Sequence, residues 1–229
     1  MYPQISIGSI AVPTYPVMVA LGLVAAGVVK LAFPVPKLDA GRSEFVLFPG
    51  VVGLFLGAKL PVLASYGLRP EFLFTGRSLL GALVGAYLAV RLAKWLHGMS
   101  WMGGGDAYVL PIAMGLAFGR TGCLLNGCCW GAGGVPVPAF EIAFHLASFF
   151  LFLEFRRRRL LVGSWFPLYM LAYCVFRFAM EFIRTEPRIW LGLTVYQGIA
   201  LAGMGIFPAE LAYRWRLKRT ASHDGCVSE

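Results

Sequence analysis

The sequence predicts an all-α integral membrane protein of about seven transmembrane helices, with the N-terminus outside and the C-terminus cytoplasmic. Three observations predict it. The 229 residues are 59% hydrophobic and only 14% charged, with a mean hydropathy of +0.73 that a water-soluble core of this size could not absorb. Several apolar runs approach 20 residues, the length that crosses a bilayer. Basic residues gather directly after alternate runs.

The spans fall at about 15–33, 45–64, 78–97, 107–125, 139–155, 164–184 and 194–214. Pro34 and Pro36 close the first. Its start is interrupted by Pro13 and Pro16 and lacks a basic leader, so a cleaved secretory signal is not expected. The second carries Lys59 after Gly57, and the reach of a lysine stem lets its ammonium snorkel to the interface. Arg91, Lys94 and His97 end the third. Gly103-Gly104-Gly105 precedes the fourth, with Asp106 as a plausible N-cap. Val135-Pro136-Val137-Pro138 precedes the fifth, and Arg156–Arg159 follow it. The sixth holds several charges, and Arg214, Arg216, Lys218 and Arg219 end the seventh. Residues 1–229 read as one polytopic domain, with a basic and polar tail from about 215 to 229 expected to be disordered. No internal repeat stands out, which counts against an inverted-repeat transporter.

The loops set the orientation. Lys37 and Arg42 follow the first span, near Lys30, while the loop after the fourth holds no basic residue. Arg69 and Arg77 after the second weaken the alternation slightly. The net charge of +9 therefore reads as positive-inside patterning and not as a nucleic-acid surface.

Polar groups inside apolar runs point to function. Arg120 lies at the end of the fourth span, within Gly119-Arg120-Thr121-Gly122-Cys123-Leu124-Leu125-Asn126-Gly127-Cys128-Cys129-Trp130-Gly131. Its glycines permit close backbone approach, and a buried arginine needs a counter-charge or an anionic ligand. In the sixth span Arg177, Glu181 and Arg184 stand at i, i+4 and i+7, one stripe on a helix. A structural ion pair between helices would explain two of them. Three arginines with Arg120 against one carboxylate exceed that need, and guanidinium matches phosphate in planar, bidentate fashion. Glu141 opens the fifth span, either as a first-turn carboxylate or as a working group. His145, one turn later, reads as a packed histidine.

The chain has five cysteines. Cys174 reads as a small buried hydrophobe, and Cys226 lies in the tail. Cys123, Cys128 and Cys129 have the spacing C-x4-C-C, which is not that of a zinc ribbon, so no metal or cofactor is expected. A disulfide, inert packing and a nucleophilic thiolate stay open for them.

These residues together resemble the prolipoprotein diacylglyceryl transferase family over nearly the whole chain. Ile7-Gly8-Ser9-Ile10-Ala11-Val12 is similar to its start, Gly53-x-x-x-Gly57-Ala58-Lys59 to its second-span motif with Lys for Arg, and Gly81-Ala82-Leu83-Val84-Gly85 to its Gly-Gly-Leu-x-Gly. The signature Gly-Arg-x-Gly-Asn-x-x-x-Gly-Glu-x-x-Gly is matched at Gly119, Arg120, Gly122, Gly127 and Gly131. Tyr173-x-x-x-Arg177-x-x-x-Glu181-x-x-Arg184 and Gly192-Leu193-Thr194-x-x-Gln197 match its late motifs. The chain departs from the family at three points. Cys123 stands for the signature Asn and Cys128 for the signature Glu; the His before Gly-Gly-Leu is missing; and His-Pro-x-Gln-x-Tyr-Glu survives only in Pro136 and Glu141.

The resemblance implies a divergent, Cys-containing branch. Its expected activity moves a diacylglyceryl group from phosphatidylglycerol to the cysteine thiol of a lipoprotein-precursor signal peptide, the lipobox cysteine, and releases glycerol phosphate. It implies Arg120, Arg177 and Arg184 on the phosphate, Glu181 orienting them, and Asn126 and Gln197 on the headgroup. Glu141 would be a base or water anchor, and Tyr173, Cys123 and Cys128 would line the substrate. The setting would be the bacterial inner membrane, as a monomer in the lipid bilayer with the site toward the outer face. The alternatives are a related phospholipid-dependent transferase with another acceptor, and a non-catalytic lipid-binding or transport protein.

Overall fold

The computed structural model describes residues 4–7, 10–34, 43–67, 76–99, 105–190 and 192–224. Gly8, Ser9, Pro36, Lys37, Arg42, Arg69, Gly103, Gly104 and Cys226, singled out above, lie outside them. Among the described residues there are seven α-helices and two short hairpins. The helices are α1 (Thr14–Ala32), α2 (Ser43–Tyr66), α3 (Leu79–Leu96), α4 (Asp106–Asn126), α5 (Val137–Arg157), α6 (Trp165–Met180) and α7 (Val195–Asp224). Strands β1 (Gln4–Ile7) and β2 (Ile10–Pro13) pair antiparallel, as do β3 (Arg188–Trp190) and β4 (Leu193–Thr194). Six helices are long and apolar enough to cross a membrane, and α6 is a shorter apolar helix. Their outer faces are apolar, as lipid requires: Leu31 is 83% exposed and Phe48 75%. The protein is a multi-pass membrane protein.

The chain divides into two compact units. The first comprises Met1–Lys37, Gly104–Tyr169 and Phe182–Thr185; the second comprises Leu38–Gly103, Met170–Glu181 and Glu186–Glu229.

In the first unit α1 packs on α4 and α4 on α5. Small residues let α1 and α4 come close: a Cβ on Gly22 would meet the Gly115 carbonyl oxygen at 2.8 Å and Phe118 at 3.1 Å. Buried residues of α5 recur as Val137, Glu141, His145, Ser148 and Phe152, one helical stripe that carries three polar groups inward. Asp106 corrects a sequence expectation. It is the first residue of α4, so the cap position falls on Gly105. The Asp106 carboxylate accepts instead from the amides of Gly163 (2.6 Å), Trp165 (3.0 Å) and Phe166 (3.3 Å), satisfying the orphan N–H groups that open α6.

In the second unit α2 and α3 cross at glycines. A Cβ on Gly57 or Gly81 would overlap the other helix's carbonyl, and Gly53 faces Gly85 in the same way. These glycines are the pieces of the Gly-Ala-Lys and Gly-Gly-Leu-type motifs, so both motifs have a packing role. Lys59 donates to the Gly76 carbonyl oxygen at 2.8 Å, ahead of α3. Arg91 and Arg214, read above as interface charges, both pair with Glu210. Arg214 is 6% exposed, and its Nε lies 2.9 Å from Glu210 Oε1. Tyr87 also donates to Glu210. Burial of Arg214 follows from its place one turn after a buried carboxylate.

The sixth span is shorter than its hydropathy predicts. Helix α6 ends at Met180, with one further helical bond from the Glu181 amide to the Arg177 carbonyl at 3.1 Å. Arg184 therefore lies beyond the helix, and the expected three-residue stripe holds only for Arg177 and Glu181. The physical cause is a long-range bond: the Ile183 carbonyl accepts from Ala132 at 2.7 Å, outside any helical ladder.

Candidate active site

The predicted site residues fall into two groups, one in each unit. In the first unit Arg120 is in the last third of α4 and Glu141 in the second turn of α5. Their side chains are 12% and 0% exposed, and Arg120 Nε lies 2.5 Å from Glu141 Oε2. A carboxylate this deep persists as an ion only beside a cation, so each residue makes the other's burial tolerable. A guanidinium has five N–H donors, more than one carboxylate edge can accept, so the pair is compatible with a second anion. One turn after Glu141, His145 Nδ1 lies 3.0 Å from the Tyr169 hydroxyl, both fully buried.

Helix α4 ends in a left-handed glycine. Gly127 has φ +73°, its amide donates to the Leu124 carbonyl at 3.2 Å, and the Cys128 amide donates to Cys123 at 3.1 Å. These are the two bonds of a Schellman ending, the second spanning six residues. That bond lays residue 128 back over residue 123. Cys129 follows with φ +65°, in the left-handed region that a non-glycine side chain rarely adopts. The result is three free thiols, Cys123, Cys128 and Cys129, with sulfurs within 4.8 Å of one another. None is in a disulfide. Cys129 is held as a thiolate down to about pH 5, chiefly by a hydrogen bond from Cys123 and then by the charges of Arg120 and Arg184. Burial pushes the Cys128 thiol up. Asn126, exposed at the end of α4, hydrogen-bonds Cys128. The loop continues through Gly131, whose amide donates to Val135 at 2.8 Å and where a Cβ would meet the Ile183 carbonyl oxygen at 2.9 Å. The bond between Ala132 and Ile183 thus fixes the segment that carries Arg184 against the cysteine loop.

In the second unit Arg177 and Glu181 are 4% and 2% exposed, and Arg177 reaches Glu181 Oε2 at 3.2 Å. The Glu181 Oε1 accepts from Thr194 at 3.1 Å. Thr194 also opens α7 as half of a capping box: its hydroxyl accepts from the Gln197 amide at 3.1 Å, and Gln197 Oε1 accepts from the Thr194 amide at 3.1 Å. So Gln197, assigned above to a headgroup, has a structural task in this motif. Arg177 lies over the Tyr196 ring, 5.7 Å from its centre. Tyr173 is fully buried one turn before Arg177.

Reading from sequence missed two participants and left a third open among three thiols. Thr194 was visible as part of a motif but not as the partner of Glu181. Cys129 carries the thiolate, although its neighbours occupy the signature positions. Glu210 gathers two arginines and a tyrosine, and its signal was a lone carboxylate four residues before an arginine in an apolar run.

Comparison with known proteins identifies the family. The family model described as prolipoprotein diacylglyceryl transferase matches residues 4–212. A phosphatidylglycerol–prolipoprotein diacylglyceryl transferase of Dehalococcoides mccartyi is 31% identical over 93% of this chain and 94% of its own length. One from Clostridium perfringens is 27% identical over 79% of this chain and 82% of its own. A third, from Burkholderia cenocepacia, is 25% identical over 96% of this chain and 95% of its own. With the family model covering most of its length and a relative 31% identical over 93% of it, this chain belongs to the prolipoprotein diacylglyceryl transferase family.

Proposed function

We propose that this protein is a membrane transferase that moves a diacylglyceryl group from phosphatidylglycerol to a prolipoprotein, with the lipobox cysteine thiol as acceptor and glycerol phosphate as leaving group. The observation that carries the reading is the burial of Arg120 and Arg177 in apolar helices, at two of the three arginine positions that the chain shares with the family motifs. The chemistry asks for cations at the phosphate while the C–O bond breaks, and guanidinium supplies charge and paired donors. Arg120, Arg177 and Arg184 serve the phosphate. Glu181 and Glu141 orient their arginines, and Tyr173, Asn126, Cys123 and Cys128 contribute to substrate binding. The positive-inside pattern supports a C-terminus in the cytoplasm and a cysteine loop at the outer face of the bacterial inner membrane. The enzyme works as a monomer. The test is direct. Purified protein, phosphatidylglycerol vesicles and a lipobox peptide should yield a peptide heavier by one diacylglyceryl group, together with free glycerol phosphate. Lipid binding without either product would reject the reading.

A further inference from the structure

The scheme above gives Cys123 and Cys128 only a part in substrate binding and Cys129 no task, and Cys123 and Cys128 stand at positions where this chain departs from its family signature. The C-x4-C-C spacing does not announce a metal site, because no second pair of Cys or His ligands follows at zinc-finger or zinc-ribbon spacing. The Schellman ending of α4 changes that. It turns the x4 interval into a face-to-face pair, and the left-handed Cys129 adds a third sulfur. The Cys128 and Cys129 sulfurs lie 3.7 Å apart, and all three fall within 4.8 Å. A tetrahedral zinc with Zn–S bonds of about 2.3 Å needs its sulfurs about 3.8 Å apart. One pair is already at that spacing, and the others close to it by small side-chain rotations.

We propose that Cys123, Cys128 and Cys129 bind one Zn²⁺ as a three-thiolate site whose fourth position takes the acceptor cysteine thiol. The inference rests on the transferase reading and deepens it. Three protein ligands with an open position is the arrangement of a catalytic zinc, not of a closed structural one. The chemistry suits this branch. The reaction consumes a thiol, the thiolate is the nucleophile, and the family histidine is missing. On coordination the acceptor S–H loses its proton to solvent, and the zinc holds the sulfur as thiolate. That sulfur forms the S–C bond to the glyceryl carbon. The C–O bond to phosphate breaks, its electron pair stays on oxygen, and glycerol phosphate leaves. The thioether formed is a weak ligand and dissociates. Four thiolates around one zinc carry a net double negative charge, and the charges of Arg120 and Arg184 already act on this loop.

The test uses the full chain in detergent, stripped with a chelator and reloaded. Elemental analysis should find one zinc per chain in the parent and less than a tenth of that in Cys128→Ser and Cys129→Ser. Circular dichroism would verify that both variants are folded. Cobalt loaded in place of zinc should give a thiolate-to-cobalt charge-transfer band that shifts when a lipobox peptide is added. The same peptide with Ser for Cys should leave the band unchanged. Chelation should lower transfer at least a hundredfold, and zinc should restore it. The proposal is overturned if the parent binds no stoichiometric metal, if the cobalt band ignores the cysteine peptide, or if the stripped enzyme transfers normally. That last result would leave the transferase reading intact. A chain that binds zinc and the peptide thiol yet makes no product from phosphatidylglycerol would instead keep the metal site and reject the transferase.

Discussion

Arg120→Ala, read alone, cannot tell catalysis from folding, because the arginine has a buried partner. Glu141 is 0% exposed and sits 2.5 Å from Arg120. Removing one member of such a pair leaves the other charge stranded, at a cost of about 3–5 kcal/mol. Arg120→Ala and Glu141→Gln should therefore each destabilise the protein by about that amount. The double variant strands nothing, so it should lose less stability than either single change. Turnover should behave differently. If Arg120 stabilises charge on the departing phosphate, its loss should cost about 10²–10³ in rate whether or not Glu141 is present, the scale seen when one preorganised charge-stabilising donor is removed. The assay pairs denaturant unfolding in detergent with peptide transfer from phosphatidylglycerol. A double variant that recovers both stability and turnover to within tenfold of the parent would show that Arg120 exists for Glu141 and not for the substrate.

Three further outcomes are expected. Arg177→Lys keeps the charge but loses the planar fork, so kcat/KM should fall by roughly 5- to 150-fold, or about 1–3 kcal/mol, and equal activity would refute planar recognition. Gly81→Ala places a Cβ against the Gly57 carbonyl and the Pro61 ring, which cannot swing aside, so it should cost about 1–3 kcal/mol by thermal unfolding. Gly27→Ala, with nothing within 4 Å, is the control, and equal losses for the two would refute the crossing. In the metal-free protein, alkylation of Cys129 followed by mass spectrometry should plateau above about pH 6, while Cys128 labelling keeps rising toward alkaline pH. The sign follows from a folded value lowered from 9.0 to about 5: the thiolate's contribution to stability is complete above 9.0 and is lost as pH falls through about 5. A Cys129 midpoint near 9 would mean that the loop holds no thiolate.

Apolar length and basic flanks made the helices legible, because a bilayer fixes both. Where the chain left those rules, the deciding partner lay far along the sequence. Asp106 looks like a cap for the helix it begins, yet it serves amides 57 to 60 residues later. Arg184 sits at helical spacing from Arg177, but a bond from Ala132 holds the Ile183 carbonyl outside the helix. Arg120 and Glu141 were each readable as costly buried charges, whereas their pairing depends on how α4 and α5 pack. The cysteine loop is the intermediate case. Gly127 after an apolar run signals a left-handed helix ending, and that ending alone brings a residue beside the one five positions earlier.

That geometry brings the two departures from the signature side by side. Positions 123 and 128 hold Asn and Glu in the signature and Cys in this chain, and the Cys128 amide bond to the Cys123 carbonyl makes them neighbours. Loss of the signature carboxylate removes a negative group from a region where Arg120 and Arg184 both act. Those same charges help to hold Cys129 as a thiolate. The exchange changes the chemistry at these positions from hard oxygen to soft sulfur. Zinc held by these thiolates would leave a position for one more thiol. On the proposed reading the acceptor is itself a thiol, and the open position of such a site is where that ligand would bind.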